Sequence, residues 1–380
     1  MQDGAILYSM LRSHVYFAAH KSPLKRANEI PRKRYSEGNA MTLNRRHLLA
    51  AGLAAPALLR LGTGSAQAAT ILKLSHQFPG GSIDEGDFRD RMCRKFAAAI
   101  KERSKGAMEV QVYPGSSLMK TNAQFSAMRK GALDLSLYPS PYAGGEVPEM
   151  NIGLMPALVP SYAQAVAWKD APVGRKLTEI LDAKGIVLVS WVWQAGGVAS
   201  RERPLLTPED AKGMKVRGGS REMDLMMKQA GAATLSLPSN ESYAAMQTGA
   251  CDAVLTSSTS LISFRLEEIS KALTSGRERS YWFMLEPIMM SKIVFSGLPK
   301  DQQDLIMAVG AELESFGQEG AKADDTRVEE VFGKAGAKVV QLDEPTLGKW
   351  RDIARDTAWK DFANKNASCA ELLKLAEKVA

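Results

Sequence analysis

Imidazole chemistry has almost nowhere to sit in this chain. Of its four histidines, His14, His20 and His47 fall within the first 68 residues, which leaves His76. Histidine-based metal sites lose most of their ligands on that count. A Ser-His-Asp triad would have to use His76, and no G-x-S-x-G elbow is present to offer the serine. No G-x-x-x-x-G-K-[ST] loop occurs either, and Gly62-Thr63-Gly64 lies in the N-terminal stretch, so nucleotide fingerprints are not met. Cys93, Cys251 and Cys369 are odd in number, far apart and without a C-x-x-C, which indicates neither a zinc ribbon nor a redox pair. Cys93 on an apolar helix face and Cys251 beside a buried strand read as packing residues. Acids are abundant enough for paired-carboxylate catalysis, but no pair stands out. The residue types favour recognition over catalysis, with no cofactor and no metal expected.

The strongest local signal is Asn44-Arg45-Arg46-His47-Leu48-Leu49. An apolar run from Ala50 to Leu61 follows, then Ala66-Gln67-Ala68. Twin arginines, a short apolar core and a small-residue cleavage site form a twin-arginine export signal. The apolar run is too short to cross about 30 Å of hydrocarbon. Residues 1–68 therefore read as a leader, with Met41 the expected initiator and 1–40 a mis-called start. The working protein then begins near Ala69 in the periplasm. The leader also accounts for the formal charge of +7: its ten Lys/Arg and three Asp/Glu, taken from 49 and 42, leave 39 of each. A basic surface for nucleic acid goes with it. No later segment reaches 18 uninterrupted apolar residues, so the mature chain is not expected to span a membrane.

Some 312 residues remain, a length that suggests two lobes. Ile71–Ser75 reads as a strand, and Phe88, Met92, Phe96 and Ile100 mark one stripe of a helix. Met108, Val110 and Val112 alternate, as do Leu133, Leu135 and Leu137. This strand–helix alternation specifies an α/β sheet with crossovers. Ile186–Trp193 is an apolar run suited to a central strand. Thr207-Pro208-Glu209-Asp210 is a capped helix start, and Lys215–Arg217 a short strand. Cys251–Leu255 and Ile288–Phe295 read as further strands, the second a long one. A long polar helix is expected from Asp301, then shorter ones to Ala380. The expected lobes are 70–193 plus 283–320, and 194–282 plus 321–380.

The chain resembles the periplasmic solute-binding subunits of TRAP transporters, the tripartite ATP-independent systems for organic acids, of the C4-dicarboxylate-binding type. The resemblance rests on Gly106–Leu118 (GAMEVQVYPGSSL), Met128–Asp134 (MRKGALD), Thr207–Arg217 (TPEDAKGMKVR) and Asn240–Ala253 (NESYAAMQTGACDA), in the family's order. It covers most of residues 70–300. It implies an α/β, two-lobed periplasmic solute-binding protein with its ligand cleft between the lobes and a helical C-terminal region. It also implies capture of a small organic acid by cleft closure and delivery to integral-membrane TRAP subunits.

In that family the arginine closing the K-x-R strand grips the ligand carboxylate, a role that falls here to Arg217; its planar fork of N–H donors suits the task. The other reading is an arginine in an ordinary ion pair. The family pattern also breaks in places. A second ligand-facing arginine is replaced within Ala195-Gly196-Gly197-Val198, an asparagine by Thr256, and an aromatic by Ser239. One carboxylate anchor with a rewritten pocket implies a monocarboxylate. Strand ends add candidates: His76 and Gln77 after the first strand, Tyr138, Ser140 and Tyr142 after the third, and Trp193 after the apolar run. Tyr142 and Trp193 read equally well as packing aromatics. Trp282, Phe283 and Glu286 lie near the expected return between lobes, where Glu286 either meets ligand hydroxyls or pairs with an arginine. The rival readings are an extracytoplasmic lyase or hydrolase in the same cleft, and a sensor partner that delivers ligand to a receptor.

Overall fold

The computed structural model describes residues 69–379; the stretch read as a twin-arginine leader lies outside them. Two sheets organise this region. The first has the order β2-β1-β3-β11-β4, from β1 (Thr70–Ser75), β2 (Met108–Tyr113), β3 (Leu135–Leu137), β4 (Ile186–Leu188) and β11 (Ile288–Ser291). The second has the order β12-β9-β5-β8-β6-β7. It comprises β5 (Trp193–Ser200), β6 (Lys215–Arg217), β7 (Ala233–Thr234), β8 (Ala253–Ser257), β9 (Ala272–Ser275) and β12 (Lys338–Gln341), with β10 (Phe283–Leu285) also paired to β5. Each sheet carries its own lobe.

The first helix, Phe88–Arg103, forms as its apolar spacing requires: Asp87 caps it through Arg89 N–H, and Phe88, Met92, Phe96 and Ile100 are all buried. Thr207 and Asp210 make the expected reciprocal capping box, but the helix they open is a single 3₁₀ turn, Pro208–Ala211. Cys93, Cys251 and Cys369 are free and buried.

Several elements depart from the sequence reading. The run Ile186–Trp193 is split: β4 is an edge strand, and β5 begins at Trp193 in the other sheet. Residues 189–192 between them cross from lobe to lobe. Ile288–Phe295 gives a four-residue strand and then a helix, Lys292–Gly297, because Ser291 caps that helix through Val294 N–H. An apolar run alone does not distinguish the two states. The polar helix from Asp301 is two helices, Lys300–Glu312 and Glu314–Lys334. Phe283–Leu285 belongs to the second sheet, because β10 runs antiparallel to Trp193–Ala195. The last helix, Ala367–Ala376, packs on the first lobe against the helix Pro172–Ala183; Asn366 donates to Glu149 at 3.2 Å and Glu371 pairs with Lys176.

The two crossing segments hold each other. Val189 N–H donates to Ile288 C=O at 2.8 Å, Glu286 N–H to Val192 C=O at 2.8 Å, and Ile288 N–H to Ser190 Oγ at 2.9 Å. The two long helices press on this junction through glycines. A Cβ added at Gly310 would lie 2.2 Å from the Val189 carbonyl oxygen, and one at Gly317 would lie 2.8 Å from Val192 Cγ2.

A buried ionic cluster spans the same junction. Arg89 bonds Asp87 with two prongs, at 2.9 and 2.7 Å, and its guanidinium lies 3.5 Å from the Phe78 ring centre. It also reaches Ser260 at 2.9 Å and Ser257 at 3.3 Å in the second lobe, and Glu286 at 3.4 Å. Gln194 donates to Glu286 as well. Glu286 thus takes the arginine-pairing alternative. One cation among two buried acids leaves an excess negative charge, and burial above all pushes the Glu286 carboxyl up to about 7, against the pull of Arg89.

Two outcomes follow. Gly310→Ala should destabilise the protein by about 1–3 kcal/mol, because forced overpacking against a backbone carbonyl outweighs the gain of up to ~1 kcal/mol in helix propensity; urea unfolding measures it. Glu286 holds its proton more tightly folded than unfolded, so its contribution is full below about 4.5 and fades as pH rises through about 7. Glu286→Gln should therefore be more stable than wild type at pH 8, by on the order of 1–3 kcal/mol, and lose that advantage by pH 5. Asp325 and Glu222, also raised to about 7 by burial, keep a residual slope in both proteins. Parallel stability-versus-pH curves would refute the assignment to Glu286.

Candidate functional site

Arg217 closes β6, which runs parallel to β8 with Arg217 opposite Val254. The residue is 1% exposed. Its Nε donates to Leu237 C=O at 3.0 Å, Nη1 to Leu255 C=O at 2.8 Å and Nη2 to the Tyr142 hydroxyl at 2.7 Å. No Asp or Glu among the described residues forms an ion pair with it, which removes the ordinary ion-pair reading. A guanidinium has five N–H donors, so these three bonds leave one on each terminal nitrogen. A carboxylate can accept from two such donors. Asp224 lies near enough to be held down by Arg217, yet burial dominates and pushes its carboxyl up to about 6.

Tyr142 comes from the first lobe, on the 3₁₀ turn Ser140–Ala143. Its hydroxyl oxygen accepts from Arg217 and from Ser239 N–H at 2.9 Å, both in the second lobe. The hydroxyl proton is left to donate. Tyr142 is therefore a latch between lobes and a donor beside the guanidinium.

The strand ends of the first lobe bring further polar atoms together. β1 and β3 are parallel with Ser75 beside Ser136, and continuing that register sets Gln77 beside Tyr138. Both are buried, as is Ser140, and neither the Gln77 amide, the Tyr138 hydroxyl nor the Ser140 hydroxyl has a hydrogen-bond partner among the described residues. Buried polar groups are normally satisfied, so an unpartnered set at adjacent strand ends is suited to a polar ligand. Tyr138 meets Tyr142 edge-on with ring centres 6.0 Å apart.

Other candidates are placed differently. His76 is fully buried with both ring nitrogens engaged: Nε2 with Asp90 at 3.1 Å and Nδ1 with Phe78 N–H at 3.3 Å. It braces the β1 end internally and has no nitrogen left for a ligand. Trp193 packs edge-on against Trp168 at 5.0 Å in the core, as a packing aromatic. Thr256 is buried on β8 opposite Gly197.

Gly196 and Gly197 have a packing reason. A Cβ at Gly196 would lie 2.3 Å from Trp282 Cε3, and one at Gly197 would lie 2.4 Å from the Thr274 carbonyl oxygen. Close approach of a ring and a backbone excludes any side chain here. The bridging Arg89 cluster and Asn151 were not found from sequence. Asn151 lines an interlobe cavity of about 440 Å³ with Tyr142, Gly144, Gly219, Arg221 and Asp224. Tyr142 is common to this cavity and to the anchor. A second cavity, of about 580 Å³ along the β4 edge, contains none of these residues.

The model of the bacterial extracellular solute-binding protein family 7 matches residues 84–366. A solute-binding protein of Albidiferax ferrireducens is 68% identical over 309 residues, covering 81% of this chain and 91% of that one. The 2,3-diketo-L-gulonate-binding periplasmic protein YiaO of Escherichia coli is 26% identical over 327 residues, 85% of this chain and 97% of its own. A crystal structure of a TRAP periplasmic solute-binding protein from Rhodoferax ferrireducens, with bound malonate, superposes with a TM-score of 0.80 at 68% identity, covering 81% of this chain and 98% of that one. Two lobes and a family match across residues 84–366 agree: this chain belongs to family 7 of the bacterial extracellular solute-binding proteins, the solute-binding subunits of TRAP transporters.

Proposed function

We propose that the protein captures a small organic acid outside the cytoplasm and hands it to integral-membrane TRAP subunits. The observation that carries this reading is Arg217, buried, ion-paired with no Asp or Glu among the described residues, and with one N–H free on each terminal nitrogen. A buried charge is costly unless paired, and an entering carboxylate supplies the pair. Tyr142 donates to the same group, while Gln77, Tyr138 and Ser140 face the rest of the ligand; Thr256 and the backbone at Ser239 complete the wall. Cleft closure brings Tyr142 of one lobe onto Arg217 and Ser239 of the other.

Malonate in the relative of 68% identity supports a ligand of about this size. Malonate carries two carboxylates, whereas the missing second arginine argued for one. Among the groups proposed to bind the ligand, Arg217 alone is a cation; Arg221 on the interlobe cavity is already paired with Asp361. The twin arginines support export by the twin-arginine route, and no helix among the described residues is long and apolar enough to cross a membrane. The function is binding and release, without turnover.

Malonate and related acids should raise the melting temperature of wild type, as a ligand specific for the native state must. Arg217→Lys should lose much of the affinity with charge retained, since an ammonium cannot reproduce the planar pair. Arg217→Ala should lose on the order of 2–5 kcal/mol of binding free energy by calorimetric titration. That variant also strands the carbonyls of Leu237 and Leu255, so its fold should weaken by about 1–3 kcal/mol. Near-wild-type affinity in Arg217→Ala would remove the anchor, and chemical conversion of the bound acid would place the protein among enzymes. In the full-length chain, Arg45→Lys with Arg46→Lys should leave the protein in the cytoplasm; undiminished export would discard that route.

A further inference from the structure

In the stretch Ala195–Val198, where the family's second arginine is missing, one glycine is covered by an indole of the same lobe. Trp282 is 2% exposed. Its six-membered ring lies directly on Gly196 of β5, where an added Cβ would fall 2.3 Å from Cε3 and 2.8 Å from Cδ2. At its other end, Nε1–H donates to Gly218 C=O at 3.2 Å, one residue beyond Arg217 on β6. The sheet order places β8 between β5 and β6. The indole therefore spans three neighbouring strands, from the glycine pair to the residue next to the anchor.

Its own backbone is fixed as tightly. Trp282 N–H donates to Ser280 Oγ at 2.9 Å, that hydroxyl donates to Gly196 C=O at 2.6 Å, and Gly196 N–H donates to Trp282 C=O at 2.9 Å. A side chain on residue 196 and an indole on residue 282 cannot occupy this volume together. The Thr256 carbonyl oxygen, 2.4 Å from the same added Cβ at Gly196, excludes a side chain there as well.

We infer that Trp282 is a specificity-determining residue: it walls the cleft on the β5 side, replacing a second cation with a flat apolar surface and limiting the ligand to short acids of about malonate size. This rests on the proposed carboxylate anchor at Arg217, since the ligand's length is measured from there. The wall excludes longer acids by volume. It also gives nothing to a charge placed against it, because an indole ring face offers no hydrogen-bond donor and its one N–H is spent on Gly218.

Calorimetric titration with malonate, succinate and glutarate tests the wall. In wild type, affinity should fall at least tenfold from malonate to glutarate. Trp282→Leu, which removes the ring but keeps a buried apolar side chain, should shrink that ratio at least fivefold, with the change arising from tighter glutarate binding. Trp282→Phe, which loses the Gly218 bond and part of the span, should fall between them and serves alone if the leucine variant does not fold, as judged by its melting curve. An unchanged malonate-to-glutarate ratio in a folded variant overturns the role of Trp282 and leaves the anchor standing. A wild type that binds all three acids equally does the same. If none of the acids binds wild type while Arg217→Ala is likewise indifferent, both the anchor and the wall fall.

Discussion

A guanidinium buried between two lobes, held by two carbonyls and a hydroxyl and bonded to no carboxylate among the described residues, is the constraint on which the rest of this molecule turns. Arginine cannot shed its proton to relieve the cost of burial. The fold must therefore supply acceptors that orient the fork without neutralising it. Backbone carbonyls do this well, because they accept a bond and bring no counter-charge. The short β6 strand, its parallel pairing with β8 and the segment at Leu237 form the scaffold of that one side chain.

Around it, the two lobes contribute different things. The second lobe brings the charge, and the first brings neutral polar atoms at the ends of parallel strands, the place where open α/β sheets present ligand-binding groups. Tyr142 joins the two, because its hydroxyl is an acceptor for the second lobe and still a donor for whatever lies on Arg217. The anchor and the wall are therefore carried on separate pieces of chain. Arg217 sits on β6 and Trp282 on the return segment before β10, so one can change while the other is kept.

The sequence made the alternation of strands and helices legible, and strand-end reasoning pointed to Gln77, Tyr138, Ser140 and Tyr142 as the residues proposed to face the ligand. Arg217 was visible through its motif alone; nothing in its own neighbourhood distinguishes it from a surface arginine. His76 was misread because its partner Asp90 lies on a helix whose contact with the β1 end is tertiary. The β4 and β11 runs were read too long because apolar content does not carry the information of where a chain changes sheet. Trp282 against Gly196 was invisible for a related reason: the antiparallel pairing of β10 with β5 creates the contact, and no local pattern announces it.

The Arg89 bridge has a consequence for thermodynamics rather than structure. Its bonds to Ser257 and Ser260 join the lobes without any ligand taking part. Such a bridge favours closure to the same degree in empty and occupied protein, and a ligand shifts the balance only by its own preference for the closed form. Strengthening the bridge would raise apparent affinity, since less of the binding free energy goes into closing the cleft. It would equally raise the population of closed protein carrying nothing. A receptor that reads closure alone would then meet decoys, so the bridge sets a trade-off between sensitivity to scarce solute and fidelity of the signal that solute has arrived.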